Sequence, residues 1–89
     1  MIFDVSKLGD ILVSRPAGKD AFLMAKAYIF NNIQDTDSLV LDFGKVKVLT
    51  PSWADEFITG LKSIYNNKMQ FINTQNESVS ASLKTVLEQ

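Results

Sequence analysis

Thr50-Pro51-Ser52-Trp53-Ala54-Asp55-Glu56-Phe57 puts two hydroxyls, an indole and two carboxylates at the junction of a strand-forming run and a helix-forming one. The first turn of a helix carries backbone N–H groups without intrahelical partners and a partial positive charge. It therefore favours hydroxyl oxygens, carboxylates and phosphates. Two capping schemes fit the residues. Either Thr50 caps with Pro51 at the first helical position, or Ser52 caps and Asp55 answers it as a capping box. Read plainly, these hydroxyls terminate a helix, at a gain of roughly 1 kcal/mol. Read as chemistry, Ser52 is a regulated hydroxyl. A phosphate there adds roughly 1.5 to 2 negative charges, which the helix dipole favours and Asp55 and Glu56 oppose. Opposed terms of this kind suit a switch.

Two further residues bear on that junction. Trp53 lies just off the apolar stripe of the helix that follows, and is either a boundary core residue or an exposed anchor for a partner. Arg15 is the sole arginine, and its fork of N–H donors matches a carboxylate or a phosphate. It is either solvated or, if the strand order brings it to the loop at Thr50, paired with Asp55, Glu56 or a phosphorylated Ser52.

Other chemistry is missing. Without histidine there is no triad, no imidazole metal site and no ordinary neutral-pH base, and without cysteine there is no thiolate or disulfide. Asp55 and Glu56 are adjacent on a helix and point about 100° apart, so they read as first-turn dipole partners rather than a catalytic pair. Gly44 and Gly60 stand alone rather than in a phosphate-binding loop. The expectation is a non-enzyme with no cofactor and no metal.

The composition supports one small soluble domain over residues 1–89. It is 46% hydrophobic and 21% charged, and a chain of 89 residues supports a single core. Nine basic against ten acidic residues leave a net charge of −1, without the basic surplus of a nucleic-acid binder. No apolar run approaches the roughly 18 to 20 residues that span a bilayer, and the opening MIFDVSKLGD has an acid where a signal peptide would have basic residues. A cytoplasmic location is expected.

The elements that must position these residues alternate. Ile2–Val5 reads as a strand, and Asp10–Val13 as a second short extended piece. From Ala17 a helical stripe runs through Ala21, Phe22, Ala25, Tyr28 and Ile29, fading at Asn31-Asn32 before a polar loop at Asp35-Thr36-Asp37. Leu39-Val40-Leu41 is a continuous apolar run of the kind covered on both faces by helices, ending at Phe43-Gly44. Val46–Leu49 either extends that strand or forms another. Ala54, Phe57, Ile58, Leu61, Ile64 and Tyr65 mark a second helix, closed by Asn66-Asn67. Met69–Ile72 is a further strand, and Thr74–Glu77 fits a capping box before a third helix. The pattern predicts an α/β fold with a mostly parallel or mixed sheet of about four strands and three helices. Its helices leave one sheet face available if they cover only the other.

Taken in order, Ser14-Arg15, Leu41-Asp42-Phe43, Pro51-Ser52-Trp53-Ala54-Asp55-Glu56 and Phe71-Ile72-Asn73 resemble the bacterial STAS-like domains of unknown function over most of the chain. These are distant relatives of the STAS domains of anti-anti-sigma factors. The resemblance implies a small STAS-like fold. STAS regulators carry Asp-Ser-Ser-Gly or Asp-Ser-Thr-Gly at the corresponding helix start, with one hydroxyl phosphorylated by a partner kinase, which implies a phosphoacceptor at Ser52. This chain departs from the pattern, with Thr50 in place of the Asp and Trp53 in place of the Gly. A bulky indole beside the acceptor restricts kinase access, so the binding surface carries over further than the phosphorylation.

Together these readings imply a protein-interaction module of bacterial regulatory signalling. Its surface is formed by Arg15, Thr50, Ser52, Trp53, Asp55 and Glu56, and its expected partner is a protein, with an ATP-binding kinase-like regulator as the leading candidate. Nucleic acid and membrane are not expected partners, and the assembly expected is a monomer or weak homodimer. The alternative is a ligand-sensing or oligomerising module in which the helix start from Thr50 to Asp55 holds a small anion.

Overall fold

The computed structural model describes residues 1–30, 38–65 and 68–88. Along them run β1 (Ile2–Asp4), a 3-10 turn (Val5–Leu8), β2 (Ile11–Leu12), α1 (Arg15–Tyr28), β3 (Leu39–Asp42), β4 (Val48–Leu49), α2 (Pro51–Tyr65), β5 (Met69–Ile72) and α3 (Glu77–Leu87). The expected helix end at Asn31-Asn32, the loop at Asp35-Thr36-Asp37 and the break at Asn66-Asn67 lie outside the described residues. The small α/β domain with three helices is what forms. Its described strands number five and make two parallel sheets, β1-β3-β5 and β2-β4. Val46–Leu49 does not prolong β3; its last two residues are β4, which pairs with β2 through Ile11 and Leu12. Parallel pairing needs a crossover, and here helices supply it. α1 lies between β1 and β3, and α2 between β3 and β5.

The helices cover one face of the larger sheet, not both. Leu39 and Leu41 are fully buried, whereas Val40 and Asp42, which alternate with them, are only partly so. The same alternation runs across the register. Phe3, Leu41 and Phe71 line the covered side, while Ile2, Val40 and Gln70 occupy the other, where Ile2 is 69% exposed. An apolar run in β3 suggested two-sided burial, but β1 and β5 carry exposed residues on that second face, which an isolated segment cannot reveal.

α2 forms the centre of the core. Trp53, Ala54, Phe57, Ile58, Leu61 and Tyr65 are all buried, a helical stripe that enters the core along the full length of the element. Each large side chain so buried contributes about 1.5 to 3 kcal/mol, an upper bound because unfolded chains are themselves partly compact. Ile64, expected on that stripe, lies at its margin and is partly exposed. α1 is held differently. Its fully buried residues are Gly18 and Ala25, and Tyr28, expected inside, points to solvent.

Small residues let α1 approach α2 closely. A Cβ on Gly18 would lie 2.5 Å from the Trp53 carbonyl oxygen and 2.9 Å from its Cα. A Cβ on Gly60 would meet the Phe22 ring at 2.7 Å. The first contact is backbone against backbone, which no side-chain rotation can relieve.

α3 closes the fold through polar contacts with β4. Its cap is Asn76, whose side chain accepts from the Ser78 and Val79 amides, so the expected box beginning at Thr74 is displaced by two residues. The Asn76 amide also donates to the Lys47 carbonyl at 3.0 Å. Leu49 points its amide and carbonyl away from β2, toward α3. The amide donates to Ser78 Oγ, and the carbonyl accepts from the Ser78 and Ser82 hydroxyls, the latter at 2.6 Å. Two hydroxyls thus do for β4 what a further strand would do, satisfying backbone groups whose burial unpaired is costly.

Gly18→Ala tests the helix contact. Overpacking costs typically 1 to 3 kcal/mol, against roughly 1 kcal/mol gained in helix propensity. We expect net destabilisation and a melting temperature lower by several degrees in calorimetry. Gly60→Ala, which meets only a partly exposed ring that can move, should cost less; an equal or smaller loss for Gly18→Ala would contradict the backbone contact.

Candidate functional site

β2 and β4 are neighbours, and each runs into a helix, so the starts of α1 and α2 stand side by side. Ser14 caps α1, its hydroxyl accepting from the Ala17 amide at 3.3 Å. It does so with φ at 79°, a left-handed conformation unfavourable for a residue other than glycine. α2 begins as the first capping scheme had it, with Thr50 before Pro51, and the Thr50 carbonyl receives the first intrahelical bond from Ala54. The Thr50 hydroxyl turns back to β2, however, donating to the Leu12 carbonyl at 3.5 Å. Ser52 is therefore not a cap. It lies inside the first turn, exposed, and its hydroxyl has no partner among the described residues.

Arg15, the first residue of α1, reaches across to α2. One terminal nitrogen, Nη1, donates to Asp55 Oδ2 at 2.8 Å and to Glu56 Oε1 at 3.1 Å. Strand order thus brings together the Arg15, Asp55 and Glu56 that sequence alone could only connect conditionally. The two acids lie in the second turn of α2, so they are partners of Arg15 rather than first-turn dipole partners. Asp55 Oδ1 accepts in addition from the Thr59 hydroxyl at 3.2 Å. The hydrogen bond from Arg15, ahead of the bond from Thr59, holds the Asp55 carboxyl below the usual carboxylate range, against a smaller upward push from partial burial. The hydrogen bonds that Arg15 donates, to Asp55 first and then to Glu56, raise its already high value.

Trp53 leaves the list of surface candidates. It is 2% exposed and stacks on Phe57 with ring centroids 4.8 Å apart. The close approach of α1 at Gly18 turns this side of α2 inward, so the indole fills the core and does not crowd the surface at Ser52.

Beside the ion pairs a shallow groove of ≈ 420 Å³ separates α1 from α2, lined by Lys19, Phe22 and Leu23 on one side and Asp55, Glu56 and Thr59 on the other. Lys19 and Thr59 were not among the residues singled out from sequence. The signal was present: Ser52, Glu56, Thr59 and Ser63 recur at helical spacing and form a polar stripe opposite the buried one. Among the described residues no cluster of acidic side chains is arranged to hold a metal, and no helix is long and apolar enough to cross a membrane.

The structure is a small parallel-stranded α/β domain with helices over one face of its larger sheet and a hydroxyl-bearing helix start after a short strand. The chain belongs to the family described as STAS-like domain of unknown function (DUF4325), whose model matches residues 25–79. That match includes Ser52 to Glu56 and begins beyond Ser14 and Arg15, so the Ser14-Arg15 part of the resemblance lies outside it. No curated protein and no solved structure matches the chain.

The Asp55 pair has a signed pH dependence. Because the folded carboxyl titrates below its unfolded value of about 3.9, its contribution to stability is full above that value and is lost as pH falls through the lowered folded value. Carboxyl-carbon NMR titration should place Asp55 below the ordinary range in the wild type and return it upward in Arg15→Gln. An unchanged titration in the variant would show that the pair does not persist in solution.

Proposed function

We propose that the chain is a non-enzymatic protein-interaction module of bacterial regulatory signalling that acts in the cytoplasm. Its recognition surface is the solvent-facing stripe of α2 with Arg15, and phosphorylation of Ser52 gates an exchange of partners. The observation that carries this reading is the placement of Ser52. It is exposed in the first turn of α2, on the same face as Asp55 and Glu56, both engaged by Arg15. Membership of a STAS-like family supports a regulatory interaction role. The burial of Trp53 supports access to Ser52, since the indole is directed into the core. An ATP-binding kinase-like regulator is the class of partner that suits a hydroxyl so placed. Such a protein both recognises the surface and supplies a phosphoryl group.

The test is capture from the native cytosol with wild-type, Ser52→Glu and Arg15→Ala baits, followed by purification of the recovered protein and titration against each. We expect affinity for at least one variant to fall tenfold or more, about 1.4 kcal/mol. Equal affinities for all three baits, or recovery of no partner, would remove the α2 surface from the function.

A further inference from the structure

We propose that Arg15 is the internal reader of a phosphate on Ser52: the phosphate draws the guanidinium off Asp55 and Glu56, so that modification uncovers two carboxylates while adding its own charge. This rests on the reading of Ser52 as the phosphoacceptor.

Of the two hydroxyls at the start of α2, only one is suited to modification. Thr50 is half-buried and bonded to the Leu12 carbonyl, whereas Ser52 is exposed. In the transfer, Ser52 Oγ bonds to the γ-phosphorus of a nucleoside triphosphate held by a separate kinase. The bond from that phosphorus to the bridging oxygen breaks, the nucleoside diphosphate leaves, and the serine proton passes to a base on the kinase.

The phosphate then stands beside an ion-pair network already in place. Ser52 precedes Asp55 by three residues and Glu56 by four, the spacings that make helical side chains neighbours. Because Nη1 of Arg15 touches both carboxylates, the guanidinium lies about one turn from Ser52 on the same face. Both ion pairs use this one nitrogen, while the guanidinium carries five N–H donors in all. A phosphate offers three strong acceptor oxygens and nearly twice the charge of a carboxylate, which makes it the stronger partner for that fork. Without a cation, it would be repelled by Asp55 and Glu56.

Three features favour exchange over simple addition. Arg15 is the first residue of α1, where the dipole disfavours a cation, so external anions hold it in place and the strongest anion takes it. It is 52% exposed in its side chain, so its movement requires no opening of the core. Lys19 lines the groove with both carboxylates, and Lys62 lines a neighbouring hollow with Asp55, so cations remain near the acids after Arg15 departs. The Gly18–Trp53 backbone contact lies beneath this network and stays as it is. The output is a new charge pattern on an unchanged fold.

The experiment compares the full chain with and without phosphoserine at position 52, installed during synthesis, in wild-type and Arg15→Gln backgrounds. Phosphorus NMR should place the second phosphate ionisation lower by roughly 0.5 to 1 unit when Arg15 is present, the low end of a contact charge effect because the site faces solvent. Carboxyl-carbon NMR should show Asp55 moving up toward or past about 3.9 on phosphorylation. Equal phosphate titrations in the two backgrounds, or an unmoved Asp55, would overturn the exchange. Arg15→Lys, which keeps the charge without the fork, should give an intermediate phosphate shift. These readouts involve no partner. An exchange that occurs without altering the affinity of a captured partner would therefore count against the functional reading alone.

Discussion

The backbone of α1 at Gly18 rests directly on the backbone of α2 at Trp53, and this contact sets most of what lies around it. With no side chain between them, the helices run close enough for a residue one turn earlier on α1 to reach the second turn of α2. That residue is Arg15, and its targets are Asp55 and Glu56. The same proximity directs the indole of Trp53 into the core and leaves the opposite face of α2 to hydroxyls and charges. A single methylene-sized choice in the sequence thus decides which side of α2 is structure and which side is surface.

The domain divides its stabilising forces by location. Burial of α2 among α1, α3 and the strands supplies the apolar core, while directed polar bonds hold the periphery. The Arg15 network belongs to that periphery. Exposed ion pairs contribute little to stability and are weakened by salt. Their composition can therefore change without endangering the core. A surface built this way is free to vary its charge while the fold beneath it stays the same.

The helices and their apolar faces were legible because helical periodicity is a local signal. The stripe from Ala54 to Tyr65 and the strand at Leu39 could be read from spacing alone. What escaped depended on contacts between distant residues. The length of β4, two residues, follows from pairing with β2 and from the α3 hydroxyls, neither of which leaves a local mark. Trp53 was ambiguous since its exposure depends on how near α1 comes, and that is set by Gly18, thirty-five positions earlier in the chain. Tyr28 satisfied the period of α1 yet faces solvent, because a period fixes which residues share a side but not how wide the covered side is. The Arg15 pairs required strand order, which places β2 beside β4. The cap at Asn76 lay two residues from the box it was expected to begin, within the usual uncertainty of helix ends.

The hydroxyl bridge from α3 to Leu49 orders events in time as well as in space. β4 leads directly into α2, yet the Leu49 amide and carbonyl find their partners on Ser78 and Ser82, 29 and 33 residues later. During synthesis at about 5 to 20 residues per second, α2 emerges well before those serines exist. Throughout that interval β4, the strand that leads into Thr50 and α2, has one side unsatisfied. The α3-facing side of β4 is therefore completed late, when α3 docks, and a chain that stops short of Ser78 leaves the Leu49 amide and carbonyl without the partners they have in the finished domain.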